Sequence, residues 1–138
     1  MTQINAYLTF DGNCREAMTF YQECLDSELY LQTVGESPVA AQMTAEWQQK
    51  ILHASLTKGN LVLMGSDMNR TSLIKGNSIT LSINCSSEEE LTTFFTRLSA
   101  GGKIIDPIAD MFWGAKFGAF TDKFGINWIV NYDKNQTL

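Results

Sequence analysis

Residues 111–132 read MFWGAKFGAFTDKFGINWIVNY, and the alternation inside this stretch decides the fold. Two runs of strand character, Lys116–Thr121 and Ile126–Tyr132, flank Asp122-Lys123-Phe124-Gly125, a turn with glycine where a positive φ is expected. In the second run Ile126, Trp128 and Val130 fall on one face, and Asn127, Ile129 and Asn131 on the other. The first face suits a core covered by a helix. The second places amides beside an apolar residue and suits the wall of a polar pocket.

Read outward from this hairpin, the chain repeats itself. Ile4–Phe10 has strand character and closes at Asp11-Gly12; Asn13 stands three residues before Glu16, the spacing of a capping box. The helix that follows puts Ala17, Phe20, Tyr21, Cys24 and Leu25 on one face. A short strand over Glu28–Val34 leads to an irregular stretch, Gly35–Lys50. There Ser37 and Pro38 suit a helix start, and Val39, Met43 and Trp47 recur at a spacing of four. That segment is either a helix against the sheet edge or a lid over a pocket. Lys50–Thr57 and Leu61–Gly65 then form a hairpin around Lys58-Gly59-Asn60. After a polar linker, Asn77–Asn84 alternates cleanly, with Ser78 among the polar positions. Ser86 and Ser87 start a helix whose apolar face is Leu91, Phe94, Phe95 and Leu98, and Gly101-Gly102 ends it. Lys103–Ile105 and Pro107 lead back into the opening hairpin. The economical reading is α+β: two tandem βαβββ modules, about 1–67 and 77–134, forming a curved mixed sheet with the helices on its outer face.

Composition narrows the partners. A net charge of −5 argues against nucleic acid, whose backbone needs clustered Lys and Arg. No window is apolar for long enough to span a membrane. The start, MTQINAYLTF, lacks the basic-then-apolar pattern of a signal peptide. Cys14, Cys24 and Cys85 have no CxxC spacing and suit reduced thiols in a cytoplasmic protein.

Three stretches carry a resemblance: YLTFDGNCREAMTFYQECL (7–25), ILHASLTKGNLVLMGSD (51–67) and DMFWGAKFGAFTDKFGINWIVNY (110–132). They resemble the PhnB-like branch of the vicinal oxygen chelate superfamily, which also holds glyoxalase I, extradiol dioxygenases and bleomycin-resistance proteins. The resemblance covers nearly the whole chain and implies modules paired within or between chains, hence a homodimer. Metal-dependent members place one ligand on each of four strands. Aligned on the Asp-Gly turn and the glycine hairpins, those positions fall here on Ala6, Met64, Ser78 and Ile129; slipping the first strand by one offers Tyr7, slipping the last offers Asn131, and neither slip rebuilds a site. Such a quartet holds no divalent metal, so neither a metal nor another cofactor is expected. No glycine-rich loop for a methyl donor is visible either.

The positions still mark where a pocket is expected. Its candidate ligand-binding residues are His53, Met64, Ser78, Trp113, Asn127, Ile129 and Asn131. His53, the single histidine, alternates with Leu52 and Ala54 and is expected to face the pocket or the partner edge, as a base or as a hydrogen-bonded structural or lining residue. Trp113, next to Phe112, would stack on a planar ligand, or else fill a core or dimer contact. Lys116 and Glu46 are either solvated or engaged with a ligand. The leading expectation is a metal-free small-molecule binding protein. The rivals are an enzyme using His53 or Glu46, and a dimeric scaffold without a ligand.

Overall fold

The computed structural model describes residues 2–69 and 71–134, and the chain divides into two compact units, Met1–Ile74 and Lys75–Leu138. The first unit contains β1 (Ala6–Thr9), α1 (Cys14–Leu25), β2 (Glu28–Thr33), α2 (Ala45–Gln48), β3 (Ile51–Lys58) and β4 (Leu61–Ser66). The second contains β5 (Leu81–Asn84), α3 (Glu88–Ser99), β6 (Lys103–Asp110), β7 (Ala115–Thr121) and β8 (Asn127–Asp133). The sheets run β1-β4-β3-β2 and β5-β8-β7-β6. In each, the first strand lies parallel to its neighbour and the other pairings are antiparallel, so both sheets are mixed. The repeat legible in the sequence is therefore a repeat of topology.

In the first unit α1 lies over one face of its sheet. A Cβ placed on Gly65 would meet the side chains of Phe10, Met18 and Cys14 at 3.0–3.4 Å, so only glycine leaves room for this approach. The register carries that face across the sheet through Leu8, Gly65, Ala54 and Leu31. The buried face of α1 is Cys14, Ala17, Met18, Tyr21, Cys24 and Leu25. Met18 takes the core place expected for Phe20, which is only half-buried, because the apolar stripe starts at Cys14 rather than at Ala17. In the second unit Leu91, Phe94, Phe95 and Leu98 of α3 are buried as expected. The Phe95 ring meets Phe120 edge-on with centroids 5.4 Å apart.

The start of α1 differs from its expected form. Asn13 is the N-cap residue but its side chain makes no capping hydrogen bond. Asp67, at the end of β4, caps the helix from a distance: its Oδ1 accepts from the backbone N–H of Gly12 and Cys14, each at 3.0 Å, and its Oδ2 accepts from Ile51 N–H at 2.9 Å. A carboxylate beside a helix N-terminus also faces the positive end of the helix dipole. α3 keeps its expected local cap: the Ser87 hydroxyl accepts from Glu90 N–H at 3.1 Å, and the Glu90 carboxylate accepts from Ser86 N–H at 2.9 Å.

The irregular stretch is not one helix. It folds as two 3-10 turns, Val34–Glu36 and Ala40–Gln42, followed by α2, with Thr44 as the cap accepting from Trp47 N–H. Ser37 donates its hydroxyl back to the Val34 carbonyl at 2.6 Å and closes the first turn instead of opening a helix. β6 is longer than the expected Lys103–Ile105 and runs past Pro107 to Asp110. Its pairing with β7 is interrupted twice, and as the sheet's last strand it tolerates the missing proline N–H. β5 is shorter than expected, since Asn77–Thr80 precede the strand and Ile79 stays 76% exposed. Among the described residues no helix is long and apolar enough to cross a membrane.

Candidate functional site

The side chains available for chemistry are those on the sheet faces turned away from α1 and α3. In the first unit the register sets Tyr7, Met64, Ser55 and Tyr30 in one row across the four strands. Gln32 and His53 stand opposite each other in the next row of β2 and β3. The Tyr7 hydroxyl lies 3.1 Å from His53 Nδ1, and the two rings are 5.7 Å apart between centroids. Sequence reasoning placed His53 and Met64 on this face, and the structure puts both there. It assigned the first-strand position to Ala6, however, and Ala6 pairs with Leu63 on the α1 side. Tyr7, reached by the one-residue slip, is the residue facing Met64. Glu46 is exposed on α2.

The second unit gives the matching row as Ser82, Ile129 and Ala119. The row on one side of it is Asn84, Asn131 and Phe117, and on the other side Thr121 faces Asn127. Ile129, Asn127 and Asn131 thus share the helix-averted face, as the alternation in β8 requires. Ser78 does not belong to it: it is exposed and precedes β5, and Ser82 occupies the position beside Ile129. The alternation of Asn77–Asn84 continues past the point where pairing starts, which made Ser78 look like a strand residue. Asn127 is already engaged, its Oδ1 accepting from the Thr121 hydroxyl at 2.7 Å. Trp113 sits in the β6–β7 turn, 53% exposed, with its ring edge-on to Phe112 at 4.9 Å and to Phe117 at 6.4 Å between centroids. It therefore adjoins the Asn131 row through Phe117. Lys116 reaches Glu88 in the first turn of α3 at 3.5 Å and so serves the helix side.

Trp128, on the α3 side, is anchored by a polar contact that sequence reasoning did not foresee. Its Nε1–H donates to Asp122 Oδ2 at 2.7 Å, while Asp122 Oδ1 accepts from the Phe124 and Ile126 N–H groups at 2.8 and 3.1 Å. One buried carboxylate thus closes the turn and fixes the indole. The DKFG turn was the available signal, because an Asp at its first position is the residue type that accepts from backbone two residues on.

Several titratable groups away from these two faces are shifted. Burial pushes the Cys14 thiol up to about 12, with the Asp67 charge adding to it, and pushes Cys85 up to about 11, with Glu90 adding. Hydrogen bonds from the Thr33 hydroxyl and backbone hold Glu36 below the usual carboxylate range. The Lys134 ammonium bonded to Asp110 lowers that carboxyl and raises the lysine. None of these groups lies on the rows described above.

The superfamily's metal has no fitting donor set here. The four equivalent positions carry Tyr7, Met64, Ser82 and Ile129, and among the described residues no three His, Cys, Asp or Glu side chains gather closely enough to hold an ion. A phenol, a thioether, a hydroxyl and a hydrocarbon do not make a site for zinc, nickel or iron. The β1–α1 turn, Phe10-Asp11-Gly12-Asn13, holds one glycine and does not fit a nucleotide-type cofactor loop.

Comparison with known proteins agrees with this architecture. The family model described as 3-demethylubiquinone-9 3-methyltransferase matches residues 2–131. The crystal structure of PA1353 from Pseudomonas aeruginosa is 38% identical, covers 96% of this chain and 98% of its own, and superposes with a TM-score of 0.83. A PhnB protein from Bacillus cereus is 26% identical over 95% of this chain and 99% of its own, with a TM-score of 0.74. At 11% identity, a glyoxalase/bleomycin resistance protein/dioxygenase family enzyme from Burkholderia phytofirmans PsJN still matches 94% of this chain and 95% of its own at a TM-score of 0.62, which shows a shared fold. The chain belongs to the PhnB-like, 3-demethylubiquinone-9 3-methyltransferase family, and its fold is that of the glyoxalase/bleomycin-resistance/dioxygenase proteins.

Proposed function

We propose that this protein binds a small molecule without the help of a divalent metal, and that it works as a homodimer. The observation supporting the binding reading is the make-up of the helix-averted face of the second unit. Asn84, Asn131 and the Asn127–Thr121 pair supply hydrogen-bonding groups next to Ile129 and Phe117. Ligand sites use this mixture of apolar surface and a few convergent polar groups. The same face is charged at its β6 edge, where Lys103 pairs with Thr121 and Asp106 with Ala119.

Titration with a panel of small polar, planar compounds, followed by tryptophan emission, tests the reading. A saturable change is expected that disappears in Trp113→Phe, since Trp113 adjoins the asparagine row through Phe117. Asn131→Leu is expected to weaken binding by about 1–3 kcal/mol, through the lost polar partner, with the unfolding midpoint unchanged. Absence of saturable binding across the panel would overturn it. Elemental analysis finding about one zinc or nickel per chain would overturn the metal-free part.

A second reading, catalysis through His53, is favoured by one observation, the hydrogen bond to Tyr7. Turnover by the wild-type protein that is lost in His53→Gln would select it.

A further inference from the structure

Tyr7 and His53 are 46 residues apart in sequence, and their hydrogen bond passes over β4, where Met64 stands beside Tyr7 in the same row. A phenol is a strong donor and a weak acceptor, whereas an imidazole nitrogen with a free lone pair is a strong acceptor. The hydrogen bond therefore runs from the Tyr7 O–H to Nδ1, and the ring proton is assigned to Nε2. That leaves Nε2–H as a donor directed away from Tyr7. Around it the face offers more donors and no charge of its own: the Gln32 amide opposite His53, and the Ser55 hydroxyl one row on. Among the described residues paired on this face, the carboxylate is Glu28, at the far end of β2 opposite Thr57. Tyr7 and Tyr30 lie in one row on either side, their residues 51% and 60% exposed.

A cluster of uncharged donors between exposed aromatic rings complements an anion with two acceptor oxygens on a flat apolar body. We propose that His53 is the recognition centre for a planar carboxylate: Nε2–H donates to one carboxylate oxygen, Gln32 donates to the other, and the ring of the ligand packs against Tyr30 and Met64. Tyr7 is a positioning residue, holding His53 in the donating tautomer. The carboxylate is favoured over a neutral carbonyl because hydrogen bonds to a charged acceptor are roughly twice as strong as neutral ones. This goes beyond the small-molecule reading above, which concerns the sheet face of the second unit.

The single histidine makes the test direct, since the imidazole nitrogens of the full chain give one pair of signals in nitrogen-15 NMR. With the ring neutral, the wild type is expected to show the Nε2–H tautomer, and Tyr7→Phe a mixture of the two. Sodium benzoate is expected to shift Nε2 saturably and to bind more tightly than benzamide. Tyr7→Phe is expected to weaken benzoate roughly fivefold, the loss of one neutral hydrogen bond. A wild-type Nδ1–H tautomer, or benzoate binding indifferent to Tyr7→Phe, would overturn the proposal; the first measurement needs no variant to fold. If benzoate leaves His53 untouched while benzamide or another neutral compound shifts the amides of Asn127 or Asn131, this inference fails and the binding reading stands. If no compound of the panel moves either face, both fail.

Discussion

Two buried carboxylates carry much of the local order, and each accepts from backbone N–H groups. Asp67 is 2% exposed and accepts from three N–H groups on two different segments, the turn before α1 and the start of β3. An asparagine there would turn an amide N–H₂ toward an N–H, losing a charge-assisted bond and leaving a buried donor unpaired. Asp67→Asn is expected to lower stability by about 2–4 kcal/mol, read from the chemical denaturation midpoint at unchanged m-value. The buried thiols make a second prediction. Because burial raises Cys14 from an ordinary 9.0 to about 12, the unfolded chain loses this proton first. Stability from this group is therefore complete below about pH 9.0 and drains away as pH climbs toward 12. The native protein should resist iodoacetamide at neutral pH, with Cys14, Cys24 and Cys85 labelled only on unfolding; rapid labelling of the folded chain would contradict the burial of all three.

At the scale of elements, the two long helices start by different means, and the difference is measurable. Ser87→Ala is expected to cost about 1 kcal/mol because it removes a real side-chain cap, whereas Asn13→Ala should be nearly neutral, since Asp67 does the capping of α1. Equal losses at both sites would argue for a local cap at Asn13. Gly118→Ala should cost about 1–3 kcal/mol, because its Cβ would stand 2.8 Å from the Phe95 ring and 3.1 Å from Ile108. What was legible in the sequence follows the same division. Alternation in β8 and the apolar stripe of α3 are local signals and gave the faces of Asn127, Ile129 and Asn131 correctly. The cap of α1 was misread because its acceptor lies at position 67, beyond the reach of a local pattern. Ala6 and Ser78 were misplaced for a related reason: alternation shows which residues share a face, but pairing with β4 and β8 decides which face it is and where the strand begins. The Tyr7–His53 contact depends on that pairing across β4 and had no local signal at all.

At the scale of the molecule, the two units share one topology, and that topology leaves β1 and β2, and β5 and β6, as the outermost strands of their sheets. Unpaired strand edges invite association unless they are blocked. β6 shows the usual blocks: Pro107, two interruptions of register, and the charges of Lys103, Asp106 and Asp110. The short strand β1 carries no charged residue or proline, and Ile4 just before it is fully exposed at 101%. In the β6–β7 turn Phe112 is 97% exposed beside Trp113. Large apolar groups left this bare on a single chain are what an interface between copies would cover. Closed symmetric pairing is the commonest way for a chain to cover such surfaces. The protein is therefore expected to sediment as a homodimer at micromolar concentration, and Ile4→Lys or Phe112→Ser is expected to shift it toward monomer without lowering the unfolding midpoint measured on the monomer. A wild-type chain that sediments only as a monomer at that concentration would overturn the homodimer. A dimer indifferent to both substitutions would place the interface on another surface.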